Sequence, residues 1–240
     1  MSRLFCSTII AMFMAQIGQS APGPKDYEKP EAPATPAQRQ RASNNLKMIG
    51  IAMHNHHDTT GSLPANTLTK DGKPGLSWRV LLLPYLEEDN LYREFNLDEA
   101  WDSANNIKLV DKLPKVFMPV RGKAEKNQTF LQMFAGKDTL MGEAGKGIAF
   151  ANVTDGLSNT IMVVEAGKPV DWTKPDDLAF DGKAIPKLGG MFDGQFHALM
   201  GDGSVKKIPN GIDEKTLLRS ITRSDGEVAD LNEAIKSAKE

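Results

Sequence analysis

The stretch Thr35 to Asp58, TPAQRQRASNNLKMIGIAMHNHHD, constrains this chain more than any other. Thr35 can accept from the first free amides of a helix, and Pro36 sits where its missing N–H costs nothing. Gln38 completes a T-x-x-Q capping box. Ala42, Leu46, Ile49 and Met53 then recur at spacings of four, three and four, one apolar stripe on a 3.6-residue repeat. Asn44, Lys47 and Asn55 fall off that stripe. A single helix of this kind is marginal in water, so the rest of the chain has to cover Leu46, Ile49 and Met53.

Past Asp58 the chain is punctuated by turns and its period changes. Thr59 to Pro64 and Asp71 to Gly75 are turn clusters. Ser77 can cap a short helix through Trp78, Val80, Leu81 and Leu82 that Pro84 bends or ends. Ser103 can cap a further helix, Ala104 to Leu113, stopped by Pro114. Beyond Pro114 come short strand-like runs at Val116–Met118, Thr129–Phe134, Thr160–Glu165 and Phe196–Met200. Asp202-Gly203 reads as a hairpin turn with Val205 and Ile208 on the return strand, and Asp155-Gly156 as a second tight turn. Asp213 caps a helix carrying Leu217, Leu218 and Ile221. Helices first and then an antiparallel sheet predict an α+β domain over residues 35–224, with 225–240 as a polar C-terminal tail.

The N-terminal residues belong to a different regime. Residues 1–21 combine Arg3, an apolar run from Leu4 to Ile17 and a small-residue end, the layout of a secretory signal peptide cleaved after Ser20 or Ala21. The run is shorter than the roughly 20 residues of a spanning helix. Residues 22–34 carry Pro22, Pro24, Pro30 and Pro33 among Lys, Glu and Ala, the composition of an extended spacer. The expectation is an exported protein, periplasmic, on the cell surface or extracellular, touching the membrane only through an uncleaved signal segment. The one cysteine, Cys6, lies in that segment, so the mature chain would hold neither a disulfide nor a cysteine metal site. A net charge of −2 provides no basic field, which argues against nucleic acid as a partner.

Five ordered phrases carry a resemblance: RQRASNNLKMIGIAMHNHHDTTGSLP, SWRVLLLPYLEEDNLY, AWDSANN, VTDGLSNTIMVVEA and MGDGSVKKI. Together they resemble the prepilin-like domain-of-unknown-function family 1559, known chiefly from planctomycete bacteria. The resemblance implies a pilin- or pseudopilin-like arrangement, an amphipathic N-terminal helix on an antiparallel sheet with extra short helices. It implies no established biochemical activity. The chain departs from the family pattern in two places. An ordinary export signal and spacer stand where the prepilin signal and its long apolar helix would be, so fibre assembly through that helix is not expected. Residues 190–194, Gly-Met-Phe-Asp-Gly, lack the histidine many relatives carry about ten residues before the Asp-Gly-Ser turn, and His197 lies too near the turn to replace it directly.

Chemistry-bearing residues are few. His54, His57 and Asp58 stand at i, i+3 and i+4 on the helix, where three zinc-type ligands could share a face with His197 as a remote fourth. A helix end explains the same residues through the dipole and the last free carbonyls. Asp155, Ser158 and Asn159, with Asp202 and Ser204, offer calcium-type oxygens without EF-hand spacing, and turn formation accounts for them equally. Trp78, Tyr85, Tyr92, Trp101 and Trp172 could stack on a sugar or could simply be core. Gly142 to Gly147 lacks the spacing and the hydroxyl of a phosphate loop, and neither G-x-S-x-G nor H-E-x-x-H occurs. The reading is a non-enzymatic exported module without a cofactor, making structural or protein contacts with envelope or extracellular proteins, self-association included. The alternative is a metal- or glycan-binding module on His54/His57/Asp58 or the aromatic face; an uncharacterised hydrolase is the enzymatic one.

Overall fold

A computed structural model describes residue 30 and residues 32–227 and 230–238. The signal segment, most of the spacer and Cys6 lie outside the described residues. The first element, α1 (Pro36–Thr60), opens as its sequence dictates: the Thr35 hydroxyl accepts from the Gln38 amide and the Gln38 side chain accepts from the Thr35 amide. It closes on Gly61 at φ +79°, whose N–H returns to the His57 carbonyl. The stripe Ala42, Leu46, Ile49 and Met53 is buried, whereas Met48 and Ile51 on the outer face are 51% and 63% exposed. No helix among the described residues is long and apolar enough to cross a membrane.

Ser77 caps α2 (Trp78–Leu81), and a 3-10 turn over Leu83–Leu86 takes Pro84 in its first turn. Helix α3 (Asp89–Glu94) comes next. The expected helix from Ala104 to Leu113 is only a 3-10 turn, Asn106–Leu109. The Ser103 hydroxyl does accept from the Asn106 amide. The Asn106 side chain, however, is buried and binds Asn96 and Ala100 of the preceding loop, which holds the backbone in a tight turn instead. Val116–Met118 is likewise not a strand. The amides of Phe117 and Met118 return to Pro114 and Lys115, consecutive turns that leave no edge to pair.

The sheet has four antiparallel strands in the order β1 (Gln128–Gln132), β3 (Ile161–Asp171), β5 (Gln195–Met200), β6 (Val205–Pro209). A two-residue parallel pair, β2 (Phe134–Ala135) with β4 (Leu178–Ala179), stands beside it. The β5–β6 hairpin turns at Gly203, φ +83°, as the Asp-Gly pair predicts. Alternation along β5 divides the interior. Leu199, with Val163 of β3, packs in the core of α1, while Phe196, Ala198 and Met200 belong to a second core with Ile208. That second core is closed by Leu217 of α4 (Glu214–Arg219), by Ile221, and by Leu231 of α5 (Leu231–Ser237). The sheet therefore has helices on both faces. The segment expected as a polar tail contributes a helix capped by Asp230, with Leu231 only 2% exposed. Leu231 is buried in the second core, and Ala234 and Ile235 pack against the same core.

Helix α1 lies close to the hairpin because residue 50 is glycine. A Cβ there would stand 3.0 Å from the Leu199 Cδ1 and 3.4 Å from the Gly203 Cα.

The end of the spacer is also tied down. The Ala34 amide donates to the Asp193 carboxyl at 2.8 Å, Arg39 pairs with the same oxygen, and Arg121 donates to the Ala32 carbonyl. The Ala34 amide first, and the Arg39 guanidinium second, hold the Asp193 carboxyl below its ordinary 3.8. A carboxyl depressed on folding stabilises above its unfolded pKa, and that contribution disappears as pH falls through the folded value. We expect hydrogen-exchange protection of the Ala34 amide to hold near neutral pH and to fall in the acid range below 3.8. Asp193→Asn, which keeps an acceptor oxygen, should remove the pH dependence. Protection that persists after the carboxyl is protonated would show that Asp193 does not hold this segment.

Candidate functional site

The C-terminal end of α1 presents three histidines, and the fold gives each a separate backbone partner. His54 Nε2 lies 2.9 Å from the Gly201 carbonyl. His57 Nε2 accepts from the Phe150 amide at 3.1 Å, which places its ring proton on Nδ1. That ring also stacks on Phe150, with centroids 4.0 Å apart. His56 Nδ1 sits 3.0 Å from the Ser62 carbonyl. Burial lowers the His56 pKa, the Ser62 contact opposing it in part.

Asp58 stays outside this arrangement. Its carboxyl is 78% exposed and 3.7 Å from His57 Nδ1, beyond hydrogen-bond reach. The i, i+3, i+4 spacing thus does not bring His54, His57 and Asp58 to one point. Among the described residues, no group of three or more His, Cys, Asp or Glu side chains is placed to hold a metal ion.

The calcium-type oxygens are engaged in turns. The Asp155 carboxyl accepts from the amides of Asp225 and Gly226 and so fastens the loop after α4. Asp202 accepts from the Ser204 amide within the hairpin. The aromatic residues do not form one face. Trp78 and Trp172 are fully buried, with their indole N–H groups on Asp177 and the Val110 carbonyl; Tyr85, Tyr92 and Trp101 are half-buried.

The most unusual chemistry lies under α1, where β3 and β5 bring Glu165 and His197 together. His197 is fully buried, and its Nδ1 is 3.0 Å from Glu165 Oε2, which also accepts the His197 amide at 2.7 Å. With Nδ1–H donating to the carboxylate, Nε2 is left as an acceptor, and it is buried with no partner among the described residues. Phe192 meets the imidazole edge-on, centroids 4.7 Å apart. Glu165, Phe192 and Arg121 share the wall of a small cavity with Ala42 and Asn45 of α1 and with residues 117–120. An oriented imidazole with a free nitrogen can accept a proton or a hydrogen bond.

This pair was legible only as an anomaly. Glu165 closes an apolar run, Thr160–Glu165, and His197 interrupts another, Phe196–Met200. A polar residue facing inward on each of two strands is a signal that two of them pair, but their pairing across separate strands cannot be read from spacing.

Residues 36–120 match the family model described as a protein of unknown function, DUF1559. That match supports the DUF1559 family for this chain. It begins at the first residue of α1 and runs through the Trp78 helix to Val120, so the DUF1559 segment supplies one wall of the Glu165 cavity. Glu165 and His197 lie beyond the residues of the DUF1559 match. No curated protein and no solved structure matches the chain.

Proposed function

We propose that this chain is an exported, non-enzymatic module with a structural or protein-contact role at the cell envelope. The observation that carries the reading is the outer face of α1. Met48 and Ile51, one turn apart, remain 51% and 63% exposed on a helix whose opposite stripe is buried. Large apolar side chains held out on a long helix gain from being covered, which suits a contact surface. The pilin-like resemblance and the N-terminal export pattern support the location. The partner would be an envelope or extracellular protein, a second copy of this chain included. The chain's charge of −2 does not suit nucleic acid.

The test is a photo-crosslinker at position 51 in the producing cell, with the same group at exposed Lys108 as control. Adducts with envelope protein or with a second copy at position 51 alone are expected, on material whose intact mass begins near Ala21 or Pro22. Recovery of the full-length chain from the cytosol, or equal adducts at both positions, would overturn the reading.

The same proposal carries a metal prediction. EDTA should leave the melting temperature unchanged, and elemental analysis should find no stoichiometric zinc or calcium. A drop of several degrees that His57→Ala abolishes would put the metal-binding alternative first.

A further inference from the structure

We propose that the outer face of α1 pairs with the same face of a second copy, the two helices running antiparallel across a two-fold axis. The inference rests on the contact role proposed above and names its partner. Arg41, Asn44, Met48, Ile51, Asn55 and Asp58 are all exposed, and they recur at alternating spacings of three and four. That alternation is a coiled-coil seam, drawn on the side of the helix opposite the buried stripe. From Arg41 to Asp58 it covers roughly 25 Å of helix axis.

The order of chemistry along this seam selects the partner. Read from either end it runs charge, amide, apolar, apolar, amide, charge, and only the sign of the charge differs. Antiparallel pairing about a point between Met48 and Ile51 sets Met48 on the second copy's Ile51. The same register sets Asn44 on the second copy's Asn55 and Arg41 on its Asp58, and the two-fold axis repeats each contact. Parallel pairing in register would instead set Arg41 on Arg41 and Asp58 on Asp58, which like-charge repulsion opposes.

Each polar residue of the seam has capacity for this. Gln40 donates to the Asn44 side-chain oxygen at 2.8 Å, which leaves the Asn44 NH2 group for the facing Asn55. Among the described residues the arginine ion pairs belong to Arg39, Arg79, Arg93 and Arg219, so the Arg41 guanidinium is uncommitted. The Asp58 carboxyl is 78% exposed in the last turn of α1, where the helix dipole disfavours an anion. A guanidinium brought there by the second copy offsets that. Two apolar layers make a small interface, so the dimer is weak.

The experiment is sedimentation equilibrium of the purified chain, with circular dichroism to check that each variant is folded. A reversible monomer–dimer equilibrium with Kd of about 10–200 μM is expected. Ile51→Glu, Arg41→Asp and Asp58→Arg should each weaken it at least about tenfold. Both charge changes suit the dipole of α1, so they do not compromise the fold. Mixing the Arg41→Asp chain with the Asp58→Arg chain should restore association to within about threefold of wild type, because every 41–58 contact is then between opposite charges. A wild-type chain that stays monomeric at about 500 μM overturns the proposal. Envelope-protein adducts at position 51 would in that case still uphold the contact role. A dimer untouched by Ile51→Glu uses another face, and a mixture that fails to re-associate has another register; either result also overturns it.

Discussion

Replacing Asp177 with Ala should destabilise the protein by about 3–5 kcal/mol, or prevent it from folding. Asp177 and Arg79 form an ion pair at 2.9 Å in which both side chains are fully buried. Both carboxylate oxygens of Asp177 and four of the five Arg79 N–H groups are engaged. Asp177 Oδ1 also accepts from the Trp78 indole and the Met133 amide, and Oδ2 from Asn66. Arg79 donates twice to the Leu131 carbonyl and once to the Ser77 hydroxyl. Burial pulls the Arg79 guanidinium below its ordinary pKa, and Asp177 pulls it back up.

Deleting the carboxylate would leave a buried cation and three unpaired donors, which is why the cost exceeds that of an ordinary hydrogen bond. Asp177→Asn, which keeps an acceptor, should fall between wild type and Asp177→Ala. Asp98→Ala, removing an exposed partner of Lys70, should change little. Denaturant melts decide it. If the Asp177 and Asp98 variants unfold together, this network does not hold α2 to the sheet.

Leu46→Ala and Ile49→Ala should each cost about 2–5 kcal/mol. Both side chains are fully buried and share one core with Trp78, Met133, Val163 and Leu199. The rigid elements on either side can close only part of the void, so a cavity term adds to the lost transfer energy. Ile51→Ala, on the same helix but 63% exposed, should stay within about 0.5 kcal/mol, and so should exposed Asn55→Ala. Equal costs for Leu46 and Ile51 would mean that α1 is seated on the wrong face.

Local chemistry determined α1 almost completely from the sequence. Its capping box, its proline at the first position and the faces of Leu46 and Ile51 depend on residues no more than a few positions apart, and those contacts are visible in a linear string. The same holds for Ser77 as a cap, for Asp213 before α4 and for the turn at Gly203. The α+β class came from the change of period, because helix and strand repeats differ whatever they pack against.

Tertiary structure decided what the polar residues do. Spacing could put His54, His57 and Asp58 on one side of a helix, but it could not foresee that Gly201 and Phe150 would come to meet the two imidazoles. Asn106 shortened an expected helix because its side chain found partners in a loop ten residues earlier. Leu231, Ala234 and Ile235 were scattered apolar residues in a polar segment until the far face of the sheet offered them a place. Glu165 meets His197 across 32 residues, and Arg79 meets Asp177 across 98. Whether a buried charge is paired, oriented or left facing a cavity depends on strand register and sheet order, and neither has a local signature in the chain.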